Sequence, residues 1–226
     1  MSHLEVSHSG EYEVLHNDGV KYYVRNTTNP EEPDYHVAQK IEIESPSVIL
    51  GDWSYSVINN NEVKIVRYEG LDSEVTIPTH INNLPVKIIG KSSFNTYALL
   101  RKITIPDTIT KIEEFAFGNC ENLSEINIPN SIVSIGKGAF GNCKNLVSIA
   151  IPSQVTRIEE MTCGGCKNLK NVSLPSSVSY IGALAFSTCS ITGIIIPNPN
   201  TQIDPSSFDS GVKVMINSQI IDWVIT

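Results

Sequence analysis

The dipeptides Ile105-Pro106, Ile128-Pro129, Ile151-Pro152 and Leu174-Pro175 recur every 23 residues. Ile196-Pro197 follows after 22 residues, and Ile77-Pro78 precedes the set by 28. A fixed period of this size constrains the fold more than any other feature of the chain. One such unit has too little apolar surface to make a core alone, so the units fold only by stacking, each coil covering the next.

The segments ahead of the prolines are LRKITIP, LSEINIP, LVSIAIP, LKNVSLP and ITGIIIP, with the shared pattern L-x-x-I-x-I-P. Alternating apolar residues predict a strand with one buried face. The proline has no N–H for the ladder and ends the strand. A second set follows in register: ITKIEEFAFGNC, IVSIGKGAFGNC, VTRIEEMTCGGC and VSYIGALAFSTC. Val or Ile with Ile three residues on predicts a short second strand or extended turn. The A-F pair three residues before Cys predicts a single helical or 3₁₀ turn. About six coils spaced ~4.7–4.9 Å apart make a curved rod on the order of 25–30 Å long, with a parallel sheet along one face.

The repeats, LSEINIPNSIVSIGKGAFGNCKN and its copies, resemble the BspA-like leucine-rich-repeat family over about residues 52–217. NEVKIVRYEGLDSEVTIP and LPVKIIGKSSF resemble that family's lead-in to the array. The resemblance implies an α/β repeat class, a right-handed leucine-rich-repeat solenoid with a parallel sheet face. It also implies a binding or adhesion surface, mostly on bacterial or parasite surfaces, with no enzymatic activity common to the family.

The ends depart from the pattern. The unit spanning 78–105 carries extra residues around INNLP, and PNPNTQIDPSSFDSGVKVMIN is a degraded repeat in which VKVMIN supplies the last strand. Ile220, Ile221 and Trp223 are candidates to cover the open end of the core. Residues 1–50 lie outside the repeat, and EYEVLHNDGVKYYVR reads as a hairpin turning at Asp18-Gly19. It resembles YSVINNNEVKIVR at an offset of 43: Tyr12, Val14, Asn17, Val20 and Lys21 match Tyr55, Val57, Asn60, Val63 and Lys64. HVAQKIEIESPSVIL reads as one or two further strands. The expected organisation is an acidic β-rich arm or module over 1–50, then the solenoid over 51–226, with a hairpin cap at 52–77 and a C-terminal cap at 198–226.

Composition narrows the function classes. Apolar residues make up 41% of the chain and charged residues 18%, as in a folded protein. The net charge of −8 is uneven: residues 1–50 hold nine acids and three bases. An acidic arm beside a near-neutral body has no footprint for nucleic acid and argues against anionic membrane surfaces. No apolar run reaches the ~18–20 residues of a membrane span. MSHLEVSHSGEYEVL has neither the basic nor the apolar region of a secretory signal, so a cytoplasmic location stays open beside a surface or particle one.

The stretch Cys163-Gly164-Gly165-Cys166 looks like a redox pair or half a zinc site. The repeat divides it. Cys166 belongs to the 23-residue series Cys120, Cys143, Cys166, Cys189, which predicts a ladder of small buried thiols. Disulfides between stacked coils are the alternative. Cys163 stands where other units have Phe117, Phe140 and Phe186. Met161, aligned with Phe115, Gly138 and Leu184, is a candidate to refill the lost volume. Asn122, Asn145 and Asn168 predict a ladder of buried turn asparagines bonded to neighbouring coils. Glu113-Glu114 and Glu159-Glu160 read as a solvated face. The histidines His3, His8, His16, His36 and His80 have no partners at metal-ligand spacing. Neither a metal site nor a cofactor site is expected.

The residues between the buried strand positions face outward, in one column of Lys102, Glu125, Ser148, Asn171 and Gly193 and another of Thr104, Asn127, Ala150, Ser173 and Ile195. Lys102, Thr104, Glu125, Asn127, Ser148, Asn171 and Ser173 are the candidate ligand-binding face. Tyr12, Tyr22, Tyr23, Trp53 and Tyr55 are a second candidate surface, near the N-terminus. The leading expectation is a non-enzymatic protein- or glycan-binding protein used in surface adhesion or host recognition. The alternative is a virion component, such as a decoration, head-fibre or tail protein, docked on a particle through residues 1–50. An enzyme using the Cys163/Cys166 pair is a third class, testable by thiol titration.

Overall fold

The computed structural model describes residues 45–216, together with the backbone of the strands His3–Glu5, Glu11–Asn17, Tyr22–Asn26, Tyr35–Val37 and Gln219–Asp222. The chain divides into two compact units, Met1–Ile43 and Glu44–Thr226.

In the first unit the four strands form one antiparallel sheet in chain order. The hairpin read from the sequence is present: Glu11–Asn17 pairs with Tyr22–Asn26, with Val14 opposite Val24. Asp18-Gly19, the proposed turn, lies outside the described residues.

The second unit opens with another antiparallel meander, Val48–Leu50, Trp53–Ile58 and Glu62–Tyr68, in which Val57 faces Val63. Glu62–Tyr68 then pairs in parallel with Leu84–Ile89, so one strand ends the meander and begins the coiled array. The extra length of the 78–105 unit is a small hairpin. His80–Ile81 returns onto Leu84–Ile89 through Asn82 and Asn83, whose φ values of 49° and 64° suit a tight two-residue turn.

From there each coil contributes two strands and a turn. The first strands are Glu74–Thr76, Lys102–Thr104, Glu125–Asn127, Ser148–Ala150, Asn171–Ser173, Gly193–Ile196 and Lys213–Ile216. The second strands are Lys111–Ile112, Ser134–Ile135, Arg157–Ile158, Tyr180–Ile181 and Gln202–Ile203, following Leu84–Ile89, with pairing interrupted between Ser134–Ile135 and Arg157–Ile158. Paired neighbours are parallel and in register, as Ile103 with Ile126 and Ile149 with Val172 show. The first-strand ladder is interrupted. It pairs through to Glu125–Asn127, resumes between Ser148–Ala150 and Asn171–Ser173, and resumes again between Gly193–Ile196 and Lys213–Ile216. Gln219–Asp222 turns back antiparallel onto Lys213–Ile216, so Ile220 and Ile221 sit in the last strand; Trp223 lies outside the described residues.

The A-F segment is neither α- nor 3₁₀-helical, and no helix occurs among the described residues. It is a chain of tight turns whose amides point alternately inward and onward. Ala116, Gly118 and Cys120 N–H donate within the turn, to the carbonyls of Glu113, Phe115 and Phe117. Phe115, Phe117 and Asn119 N–H donate to Lys137, Ala139 and Gly141 of the next coil at 2.7–2.9 Å. A helix would have used all these groups internally. Here half of them tie neighbouring coils together, which needs left-handed residues at two places per turn. Phe115, Gly138, Met161 and Leu184 form one such column, with φ of 52–59°, and Asn119, Asn142, Gly165 and Thr188 the other, with φ of 54–81°.

The core is one continuous column of these coils. Ile103, Ile112, Phe117, Leu123 and most of their repeat equivalents are buried, while Ile126, Val172 and Ile203 are half-buried. Its centre is a stack of rings. Phe94 lies 5.1 Å from Phe117, and Phe117 lies 5.6 Å from Phe140, nearly parallel at 5°. Phe186 and Phe208 stack at 5.5 Å.

Trp53 and Tyr55 correct the sequence reading, which placed them on a contact surface. Trp53 is half-buried, 4.9 Å from Tyr68, and extends the ring stack toward the first coil. Tyr55 is buried, and its hydroxyl accepts a hydrogen bond from Asn82 Nδ2 at 2.7 Å. The meander has to seal the end of the core, and its largest rings are spent there. The side chains of Tyr12, Tyr22 and Tyr23 lie outside the described residues.

Candidate functional site

Both outward columns of the first-strand face are exposed: Lys102, Glu125, Ser148, Asn171 and Gly193, and beside them Thr104, Asn127, Ala150, Ser173 and Ile195. The period-2 alternation puts them there, since the residues between them fill the core. At one end Lys102 Nζ pairs with Glu125 at 3.0 Å, across neighbouring strands. Such an exposed pair contributes little to stability, but it neutralises that end of the face.

Two depressions mark the face. One of about 350 Å³ is lined by Lys102, Thr104, Glu125, Asn127 and Ser148. The larger, about 610 Å³, runs over Ser148, Ala150, Asn171, Ser173, Gly193 and Ile195. All seven candidate face residues line one depression or the other. Lys170 is the one charged residue lining the larger groove among the described residues, and no aromatic ring lines it. Nothing in the repeat pattern singles out Lys170, which precedes the strand; its place at the groove wall does.

The second-strand face is different. It carries Lys111, Arg157 and Tyr180, with Lys111 bonded to Glu113 at 3.1 Å, Arg157 to Glu159 at 2.8 Å, and the Arg157 guanidinium 4.0 Å over the Tyr180 ring. Lys91 and Lys137 hold Glu114 and Glu160 at 2.8 Å. The paired glutamates are therefore half-buried partners of cations rather than a freely solvated face. His80 is exposed, beside the Thr79 hydroxyl; the side chains of the other histidines lie outside the described residues.

The thiols are core groups. Cys120, Cys143, Cys163 and Cys166 are buried, Cys189 is half-buried, and all five are free. Each ladder thiol donates to the carbonyl at the ring position of the preceding coil. Cys120 bonds Phe94 O at 3.0 Å, Cys143 Phe117 O at 3.2 Å, Cys166 Phe140 O at 3.1 Å and Cys189 Cys163 O at 3.3 Å. Burial pushes the Cys120 and Cys189 thiols up to about 12 and raises Cys163 well above the usual thiol range. Contact with the Cys166 thiol, then burial, does the same for Cys143. A nucleophilic thiol needs the opposite environment.

The asparagine ladder is present but not buried: Asn122, Asn145 and Asn168 are exposed. Asn122 Nδ2 reaches Ala98 O at 2.7 Å, and Asn145 and Asn168 each donate to the asparagine one coil back. A second ladder, Asn95–Asn119–Asn142, with amide bonds of 3.1 and 3.0 Å, was not picked out from the sequence. Its signal is the asparagine before Cys120 and before Cys143, a residue type that tolerates the left-handed backbone found at Asn119 and Asn142.

A BspA-type leucine-rich-repeat family model matches residues 87–214 in six copies, more than half of the chain. The chain belongs to this family. It is similar to the crystal structure of a leucine-rich cell surface protein from Faecalibacterium prausnitzii, with 27% identity and a TM-score of 0.63, over 77% of this chain and 56% of that one. It is also similar to a leucine-rich-repeat protein from Eubacterium ventriosum, at 25% identity and a TM-score of 0.60, over 74% of this chain and 50% of that one. The pneumococcal vaccine antigen PcpA, 23% identical with a TM-score of 0.59 over 69% of this chain and 39% of that one, shares the fold. This BspA-type chain thus spans about half the length, or less, of these structures. No curated protein matches it.

Proposed function

We propose that this BspA-type chain is a non-enzymatic binding protein displayed on a cell surface, that its first-strand face is the recognition surface, and that its partner is a protein. The observation that carries the reading is the contrast between faces. The first-strand face presents small, mostly uncharged side chains over two depressions. The second-strand face is occupied by its own ion pairs. A ligand on the first face meets side chains fixed by the sheet and displaces few existing interactions, which lowers the ordering cost of binding. The surface location is supported by the F. prausnitzii relative, described as a cell surface protein. No helix of the described residues is long and apolar enough to cross a membrane.

The test is to screen the full chain against arrays of immobilised proteins and glycans, then map the footprint of a captured ligand by hydrogen exchange. Slowed exchange over 102–104, 125–127, 148–150 and 171–173 is expected. A footprint confined to the second-strand face would overturn the reading.

A further inference from the structure

The first-strand face is not one unbroken sheet, and its breaks coincide with uncovered core residues. The central residue of each first strand points inward. Ile103, Ile149 and Ile194 are buried, whereas Ile126 and Val172 are only half-buried. Ile126 and Val172 belong to the two strands after which pairing stops. At each break the ladder pairing stops beside a half-buried apolar side chain of the face. Both residues line the larger groove, Ile126 in its first coil and Val172 two coils on, next to the coil of Gly193 and Ile195.

Two further features shape that groove. Ile195, in its outer column, is a large apolar side chain 61% exposed among the described residues. Gly193 is not required by packing: a Cβ there would meet its nearest neighbour, the Lys213 carbonyl, at an ordinary 3.5 Å. The missing side chain keeps the groove floor low. Lys170 stands at the wall, with no ion pair among the described residues, in a chain whose net charge is −8.

We propose that this groove binds an extended acidic peptide in the polyproline II conformation, with apolar side chains three residues apart. The proposal rests on the binding-face reading above and goes further in naming the ligand chemistry. Ile126 and Val172 lie two coils apart, roughly 10 Å. A polyproline II helix has three residues per turn and rises about 3.1 Å per residue, so residues i and i+3 share a side about 9 Å apart. Its backbone makes no internal hydrogen bonds, so its carbonyls and amides are free to meet the outward polar side chains Ser148, Asn171 and Ser173. An acidic residue between the apolar ones faces Lys170. A sugar ring finds no aromatic platform here.

The test uses the full chain and fluorescein-labelled peptides of Val-Glu-Pro repeats and of Val-Lys-Pro repeats, titrated by fluorescence anisotropy at physiological salt, which screens the acidic residues of 1–50 from the basic peptide. The acidic peptide is expected to bind at least about tenfold more tightly than the basic one. Lys170→Glu should reverse that order. Gly193→Phe should remove binding of the acidic peptide while leaving the thermal melt unchanged. Failure of the acidic peptide to bind, or unchanged affinity in either variant, would overturn the proposal. If the array screen finds a first-face ligand while the acidic peptide does not bind, the binding-face reading stands and the peptide assignment falls.

Discussion

The four residues of Cys163-Gly164-Gly165-Cys166 are each set by a different column of the repeat. Cys166 is a ladder thiol bonded to Phe140 O. Cys163 takes the ring position between Phe140 and Phe186, and breaks the stack that runs unbroken from Phe94 to Phe140. Gly164 is crowded by the next coil, since a Cβ there would come within 2.8 Å of the Leu184 carbonyl. Gly165 has φ of 81°, in the column that Asn119 and Asn142 occupy. Met161 does not refill the missing ring: it sits half-buried in the outer left-handed column, with φ of 55°. Restoring the ring should therefore stabilise the protein. Cys163→Phe is expected to add about 1–3 kcal/mol, read as a higher denaturant midpoint. A lower midpoint would mean that the coil has closed over the gap. At the neighbouring position, Gly165→Asn should be tolerated, extending the asparagine ladder once the Asn142 amide swings aside. Gly165→Val should cost about 1–2 kcal/mol for the left-handed backbone.

At the scale of the element, the strands were legible and the turn was not. L-x-x-I-x-I-P gives the first strands because one alternation has one physical solution. The A-F segment suggested a helical turn because Ala and Phe before a Gly suit one. What decides it is inter-coil hydrogen bonding, which requires φ above 50° at residues as unlike as Phe115, Met161 and Leu184. No single residue type announces that; only Asn119, Asn142, Gly138 and Gly165 hint at it. The outward columns of the binding face could be read from alternation alone. The breaks in pairing at Ile126 and Val172 could not, because they come without any change in the pattern. The aromatic Trp53 and Tyr55 misled, since large rings suit an interface and an end cap equally well. The ring stack gives a direct energetic check. Phe117 packs on rings at both sides, so Phe117→Ala should cost about 3–5 kcal/mol in chemical denaturation. A loss below about 1 kcal/mol would mean that the stack is not a main part of the core.

For the whole molecule, the buried thiols tie stability to alkaline pH. Unfolded thiols ionise near pH 8.5. In the folded chain Cys120 and Cys189 hold their protons to about 12, and Cys143 and Cys163 are also raised. The unfolded state thus loses protons first as pH rises. Their contribution is full below about pH 8.5 and falls above it. The denaturant midpoint at pH 10 should lie below that at pH 7.5, and a Cys120→Ala, Cys189→Ala variant should show a smaller drop. An identical drop would assign the effect to other groups.

The central claim is that recognition belongs to one face of a passive solenoid. The most direct measurement is an arginine scan of the full chain against whichever ligand the array screen captures. Ser148→Arg and Ser173→Arg, on the first-strand face, should each abolish capture. Ser134→Arg and Thr156→Arg, exposed beside or within the second strands, should leave it intact. Loss confined to the second pair would contradict the account.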